Sequence, residues 1–291
     1  TSAFGERGFP AAVPPLFGEQ AVAFSSTRDS NAEIYLQVPG DDPLRLTDSA
    51  SADHSPSLSL DRTKVAFVSE RSGDPEIWVM GADGSAPARR THSAAPDYDP
   101  AWSPDGAKLA FTSERDGNPE VYVMNADGTG VQRLTHSPGV DRHPAWSPDG
   151  TRIAFTSDRG GSADVWVINA DGGNPVRLTD HASADYDPAW SPDGAKLAFV
   201  SERDGNPEVY LMDANGANAA RLTEAPGADV EPAWSPDGAW VAFTSAQAGD
   251  AELFARNVAS GRRERLTVSL GVNVQPSWGG AAETPGRVAT R

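Results

Sequence analysis

Apolar residues along this chain fall in short runs separated by turn-forming polar residues, and the arrangement recurs from end to end. Between residues 100 and 135 the runs are "PAWS", "KLAFTSE", "EVYVMN" and "VQRLT". Each is shorter than a helix of about 10–12 residues and rich in Val, Tyr, Phe, Trp and Thr, which suit a pleated surface. "SPDG", "RDGN" and "NADG" separate them, and Asp-Gly tolerates the positive φ that tight hairpins require. The pattern predicts four antiparallel strands in succession. The pair Ala-Phe supplies the period: Phe24, Phe67, Phe111, Phe155, Phe199 and Phe243 are spaced by 43 residues and then four times by 44. Four strands in every ~40–45 residues make a blade-per-repeat array, a β-propeller.

The second strands number six, and so do the third strands, which start at Glu33, Glu76, Glu120, Asp164, Glu208 and Glu252. First-strand segments start at Pro56, Pro100, Pro144, Pro188, Pro232 and Pro276. The chain enters on a second strand, "QAVAFSS", and leaves on a first strand, "QPSWGG". The last strand therefore has to complete the opening blade, which closes the ring and leaves no edge bare. The expectation is an all-β, six-bladed β-propeller over residues 19–280, with an N-terminal extension at 1–18 and a C-terminal tail at 281–291.

The recurring "PAWSPDG", "AF" followed by Ser two residues on, "NADG" and "RLT" resemble the TolB-type WD40-like repeat, also called the PD40 repeat. The resemblance covers residues 19–280 in six tandem copies. It implies a ring whose surface receives partners. TolB itself carries an α/β domain ahead of its propeller, and the 18 residues ahead of this repeat are expected not to supply one.

With 38% apolar residues and eight Trp the chain can fill a core, and 22% charged residues is ordinary for a globular protein. A net charge of −17 disfavours nucleic acid and anionic membrane as partners and favours cations or a basic protein surface. The absence of Cys excludes disulfides and thiolate chemistry. No apolar run approaches the ~18 residues of a membrane span. The first residues lack the basic-then-apolar order of a signal peptide. Together with the family resemblance, these features suggest the mature form of a periplasmic or extracellular bacterial protein, a monomer without membrane insertion.

Antiparallel order puts the "SPDG" and "NADG" turns on one face and the longer, more variable loops on the other, where sites concentrate on a rigid scaffold. Three residues before each first-strand Pro stand Asp53, Asp97, Asp141, Asp185, Asp229 and Asn273; immediately before it stand Ser55, Asp99, His143, Asp187, Glu231 and Gln275. Both rows are expected near the axis at one channel mouth, as an acidic collar of eight carboxylates. A loop-shaping Asx-turn explains the uniform first row equally well. The second row varies from blade to blade, as a site would. Calcium is the natural cation for such oxygens at about 2.3–2.6 Å, with Asp99, Asp187 and Glu231 as candidate ligands, held through water or between two blades; no cofactor is required.

Other recurring residues read as structural. Arg28, Arg71, Arg115, Arg159 and Arg203, each followed five residues later by Glu33, Glu76, Glu120, Asp164 and Glu208, suggest a hairpin clamp. Trp102, Trp146, Trp190, Trp234 and Trp278 suggest packing between blades, and Arg45, Arg90, Arg133, Arg177, Arg221 and Arg265 packing or ion pairs. Gln247 stands where a sixth loop arginine is due.

Catalytic motifs are missing: no G-x-S-x-G elbow and no phosphate loop occurs. One constellation survives, His143 near Asp141, with Asp99 and Asp187 on adjacent blades, suited to a general base or a metal ligand. The sequence points to a non-catalytic scaffold that binds a protein, a glycan or a cation through the acidic loop face and the channel mouth. The alternative is a metal-assisted polysaccharide lyase or glycoside hydrolase at the same mouth, using paired carboxylates.

Overall fold

A computed structural model of the chain describes residues 21–37, 42–247, 249–268 and 271–279; the expected extension at 1–18 and tail at 281–291 lie outside them. Among the described residues there are 24 strands and no helix, arranged as six four-stranded sheets. The second strands explain why the sheets stack. In Lys108–Ser113, "KLAFTS", every residue after the first is buried. A strand buried on both faces needs a neighbour on each side, and a ring of blades supplies two. Phe24, Phe67, Phe111, Phe155, Phe199 and Phe243 are fully buried, each burial contributing roughly 1.5–3 kcal/mol. Phe111 packs with Ala66, Val68 and Ile77 of the preceding blade.

Closure follows the strand count. β1 (Val22–Ser26), β2 (Glu33–Gln37) and β3 (Leu44–Arg45) share a sheet with β24 (Asn273–Trp278), in the order β24-β1-β2-β3. Val22 lies opposite Trp278 and Ser26 opposite Asn273. The innermost strands are β4 (Asp53–Leu58), β8 (Asp97–Trp102), β12 (Asp141–Trp146), β16 (Asp185–Trp190), β20 (Asp229–Trp234) and β24. They contact one another in that order and β24 contacts β4, so they wall a central channel. These strands begin three residues earlier than the Pro-based expectation. The ladder to the second strand slips at each Pro, between Tyr98 and Ala101 for example. Proline has no N–H for the ladder, and a bulge absorbs it.

Buried polar groups tie the strands of each blade together. The Glu120 carboxylate accepts from Thr135 Oγ1 at 2.5 Å and from Arg133 Nη2 at 2.7 Å. Equivalent triplets join Glu33, Arg45 and Thr47; Glu76, Arg89 and Thr91; Asp164, Arg177 and Thr179; Glu208, Arg221 and Thr223; and Glu252, Arg265 and Thr267. In the second set it is Arg89, not Arg90, that serves, because the outer strand Ala88–Arg89 puts Arg89 opposite Trp78. The expected hairpin clamp takes another form as well. The loop arginines reach back to the start of the inner strand instead of forward to the Glu five residues on. Arg71 meets Asp53 at 2.6 Å, Arg115 meets Asp97 at 2.9 Å, Arg159 meets Asp141 at 2.5 Å, Arg203 meets Asp185 at 2.9 Å and Arg28 meets Asn273 at 2.8 Å. Their guanidinium groups also lie over third-strand rings, 4.5 Å from Tyr35 and 4.7 Å from Trp78.

Candidate functional site

The bulge at each inner-strand Pro decides what the channel presents. The residue before the Pro takes a left-handed backbone in all six blades: φ is 52° at Ser55, 52° at Asp99, 53° at His143, 52° at Asp187, 56° at Glu231 and 59° at Gln275. None is glycine, and each such position costs on the order of 1–3 kcal/mol unless its surroundings enforce it. That backbone aims all six side chains at the axis. With the prolines behind them they line a cavity of about 190 Å³ at one mouth of the channel. The second row of the expected site is thus brought together as a ring.

Hydrogen bonds run round this ring. Thr112 Oγ1 donates to Asp99 Oδ2 at 3.0 Å and accepts from the His143 N–H at 3.3 Å. Asp187 N–H donates to Thr156 Oγ1 at 3.0 Å. Glu231 Oε2 accepts from Thr244 Oγ1 at 2.6 Å and from the Gln275 N–H at 2.7 Å. The Gln275 amide accepts from Ser55 N–H and Ser25 Oγ, both at 2.8 Å, and donates to Ser55 Oγ at 2.9 Å. Gln275 and Ser55 therefore seal the ring where the two ends of the chain meet.

Charge is confined to the other side. His143 Nδ1 contacts the Asp187 carboxylate, and its Nε2 is 3.6 Å from Asp99 Oδ2. Burial by itself would lower the imidazole, but Asp187 and Asp99 outweigh it and push the group up to about 9. A base must be free of its proton at working pH, so the general-base reading of His143 finds no support in this geometry. Burial raises Glu231, opposed by hydrogen bonds from Thr244 and Gln275 and reinforced by Asp187. Tyr98 and Tyr186 flank the mouth. Both phenols are raised, first by burial and then by Glu114 and Asp99 for Tyr98, and by Glu202 and Asp187 for Tyr186. This side of the mouth is electronegative.

The first row lies elsewhere. Asp53, Asp97, Asp141, Asp185, Asp229 and Asn273 are fully buried between blades and do not line the mouth. Five of the six are held by the loop side chains Arg71, Arg115, Arg159, Arg203 and Arg28. At Asp229, Arg263 comes in from the outer strand Arg263–Arg265 and bonds Gln247 Oε1 at 2.9 Å, its guanidinium 4.0 Å over Phe254. The collar thus has three carboxylates, Asp99, Asp187 and Glu231, in place of the expected eight. As a calcium ligand set these three are not assembled: His143 already stands between Asp99 and Asp187, and among the described residues no group of three or more acidic or histidine side chains could hold a metal ion.

Beyond the proline ring the channel widens into a vestibule of about 510 Å³ toward the "SPDG" turns, walled by the inner-strand Trp residues and their neighbours. The five Trp are packed as expected, and Trp102 and Trp234 donate Nε1–H to the Ser57 and Ala189 carbonyls at 3.1 and 3.2 Å. Residue types alone hid both the bulge and this cavity. The Pro after a varying polar residue in every repeat was the available signal for the bulge.

Comparison with known proteins gives a consistent picture. The family profile described as the TolB beta propeller domain, PD40, matches residues 95–187 and 181–284. A Tol-Pal system protein TolB from Desulfosudis oleivorans is 37% identical over 68 residues, 23% of this chain but 15% of that protein's length. The crystal structure of TolB from Acinetobacter baumannii superposes with a TM-score of 0.81 at 27% identity, covering 89% of this chain and 66% of that one. An oligogalacturonate lyase in complex with manganese superposes with a TM-score of 0.57 at 13% identity over 86% of this chain and 74% of that one, a likeness of fold alone.

Proposed function

The chain belongs to the PD40 family of TolB beta propeller domains, and on that premise we propose that it is a non-catalytic binding platform whose acidic channel mouth receives a basic segment of a partner protein. One observation carries the reading: six non-glycine residues hold the same left-handed backbone while their side chains differ. Structural duty asks for the backbone but not for the variation. Strained positions whose identity varies around a common focus are what recognition requires. The chemistry of the focus, three carboxylates beside Tyr98 and Tyr186, suits Lys or Arg side chains, whose charge and stems match carboxylates and aromatic faces.

The lyase or hydrolase alternative would draw on Asp99, Asp187 and Glu231 at the same mouth, and its support among known structures is a likeness of fold at 13% identity. Membership of the TolB beta propeller family also favours a periplasmic or extracellular location, and cell fractionation that finds the native protein in the cytoplasm would remove that part. The binding itself is tested by adding a tetralysine peptide to isotope-labelled protein and following its NMR spectrum. Resonances of His143, Tyr98 and Tyr186 should shift, while the indole signals of the vestibule stay in place. Shifts confined to other surfaces would sink the assignment of the mouth.

A further inference from the structure

The acidic mouth already contains a cation of its own. His143 enters the ring from β12 and stands between Asp99 of β8 and Asp187 of β16. Its Nδ1 contacts the Asp187 carboxylate, and its Nε2 is 3.6 Å from Asp99 Oδ2. Among the described residues the imidazole has no partner besides these two carboxylates. The equivalent positions carry Ser55, Asp99, Asp187, Glu231 and Gln275, so His143 is the one basic side chain of the six. Two of the three carboxylates are therefore engaged before any ligand arrives. The third, Glu231, accepts from Thr244 and the Gln275 N–H through Oε2 alone.

A cavity of about 190 Å³ puts an arriving Lys or Arg head group beside the imidazolium, where like charges repel and the same carboxylates are contested. The backbone at His143 is fixed by its left-handed φ of 53° and by the bond from its N–H to Thr112 Oγ1, so the imidazole cannot leave the ring by sliding along the strand.

We propose that His143 is a built-in rival of the partner's cation: its imidazolium occupies Asp99 and Asp187 in the free protein, and the mouth takes a basic segment tightly only when His143 gives up its proton. This rests on the binding reading of the mouth and adds its regulation. Rising pH removes the rival and leaves the carboxylates, so binding strengthens as pH rises. With its carboxylates pushing it up to about 9, His143 is neutral in about one molecule in a hundred at pH 7, and apparent affinity falls by up to that factor. The other groups facing it are accounted for. Arg142 adds a fixed positive charge, Tyr98 and Tyr186 are raised and stay neutral, and burial lowers His54. Glu231 is raised by burial and is the second group able to shape the profile.

Tetraarginine, whose charge does not titrate, is added by calorimetry at fixed ionic strength to the native chain, His143→Gln and His143→Arg, at pH 7 and pH 10. Glutamine removes the rival charge, and arginine makes it permanent. His143→Gln should bind about ten- to a hundredfold tighter than the native chain at pH 7. The native chain should recover most of that difference by pH 10, and His143→Arg should stay weak at both. Glu231 is unchanged in His143→Gln, so the pH profile of that variant isolates its share. In the native chain the NMR midpoint of His143 should move down when tetraarginine is added, as reciprocity requires. That shift and the native pH profile test the proposal even if a variant fails to fold. A native affinity that does not rise with pH, or an unmoved midpoint, would overturn it. Equal affinities in all three proteins would overturn the rival and leave the mouth as the site for basic segments. Weaker binding by His143→Gln would overturn it by making His143 part of the receptor, and no binding by any of them would overturn both readings.

Discussion

The imidazole of His143 has a carboxylate at each nitrogen, Asp187 at Nδ1 and Asp99 at Nε2, so protonation and folding are linked there. Its folded value of about 9 stands above the ~6.5 of an unfolded chain. The stabilisation is therefore complete below about 6.5 and is lost as pH rises through the folded value. An NMR titration of His143 should show a midpoint near 9, and His143→Gln should remove the matching fall in Tm at alkaline pH; an ordinary midpoint near ~6.5 would contradict the geometry. A second prediction concerns the buried acids. Arg159→Ala strands Asp141 without its partner and should cost about 3–5 kcal/mol in denaturant unfolding. Gln247→Ala, at the blade where Arg263 already covers Phe254, should cost under about 1 kcal/mol. The identities in both rows were legible in the sequence. Their separation was not, because the partner of Asp141 lies 18 residues away and only the strand register brings Arg159 back to it. The stand-in at the sixth position, Arg263 for the arginine missing at Gln247, had no local signature at all.

Strands and hairpins were legible because each level of the sequence agrees: alternation, strand-forming residue types and Asp-Gly turns point the same way. The inner strands were misjudged at their starts because Pro reads as a first residue. In the fold it sits inside a strand at a bulge, with Asp53 and its equivalents opening the strand ahead of it. Closure by β24 makes the ring a single cooperative element. A chain ending at residue 272 loses β24, bares one edge of β1 and opens the channel wall, where Gly279 lies so close to Leu58 that any side chain at 279 would collide with it. Loss of several kcal/mol is expected, on the scale of total domain stability of about 5–15 kcal/mol, and calorimetry should find no native transition. A Tm equal to that of the full chain would refute the clasp. At the element scale the core also predicts that Phe155→Ala, at a fully buried second-strand position, costs about 3–5 kcal/mol by the same measurement.

On the scale of the whole molecule, a net charge of −17 is distributed so that the two ends of one channel differ in kind. The mouth gathers Asp99, Asp187, Glu231 and His143, whereas the vestibule holds no charged side chain. Composition foretold an acidic surface but not this polarity, which arises only when six inner strands run in the same direction round one axis. Long-range attraction then draws a basic segment to one end, and added salt should weaken the association because exposed charges are screened within about 10 Å at 0.1 M. Calorimetry with tetralysine on the native chain and on the variant Asp99→Asn, Asp187→Asn, Glu231→Gln puts the central claim to the test. The native protein should bind with an affinity that falls as salt rises, and the variant, still folded but with a somewhat lower Tm because His143 loses its carboxylate partners, should not bind measurably. Equal binding by both proteins would contradict the account and leave the collar as scaffold.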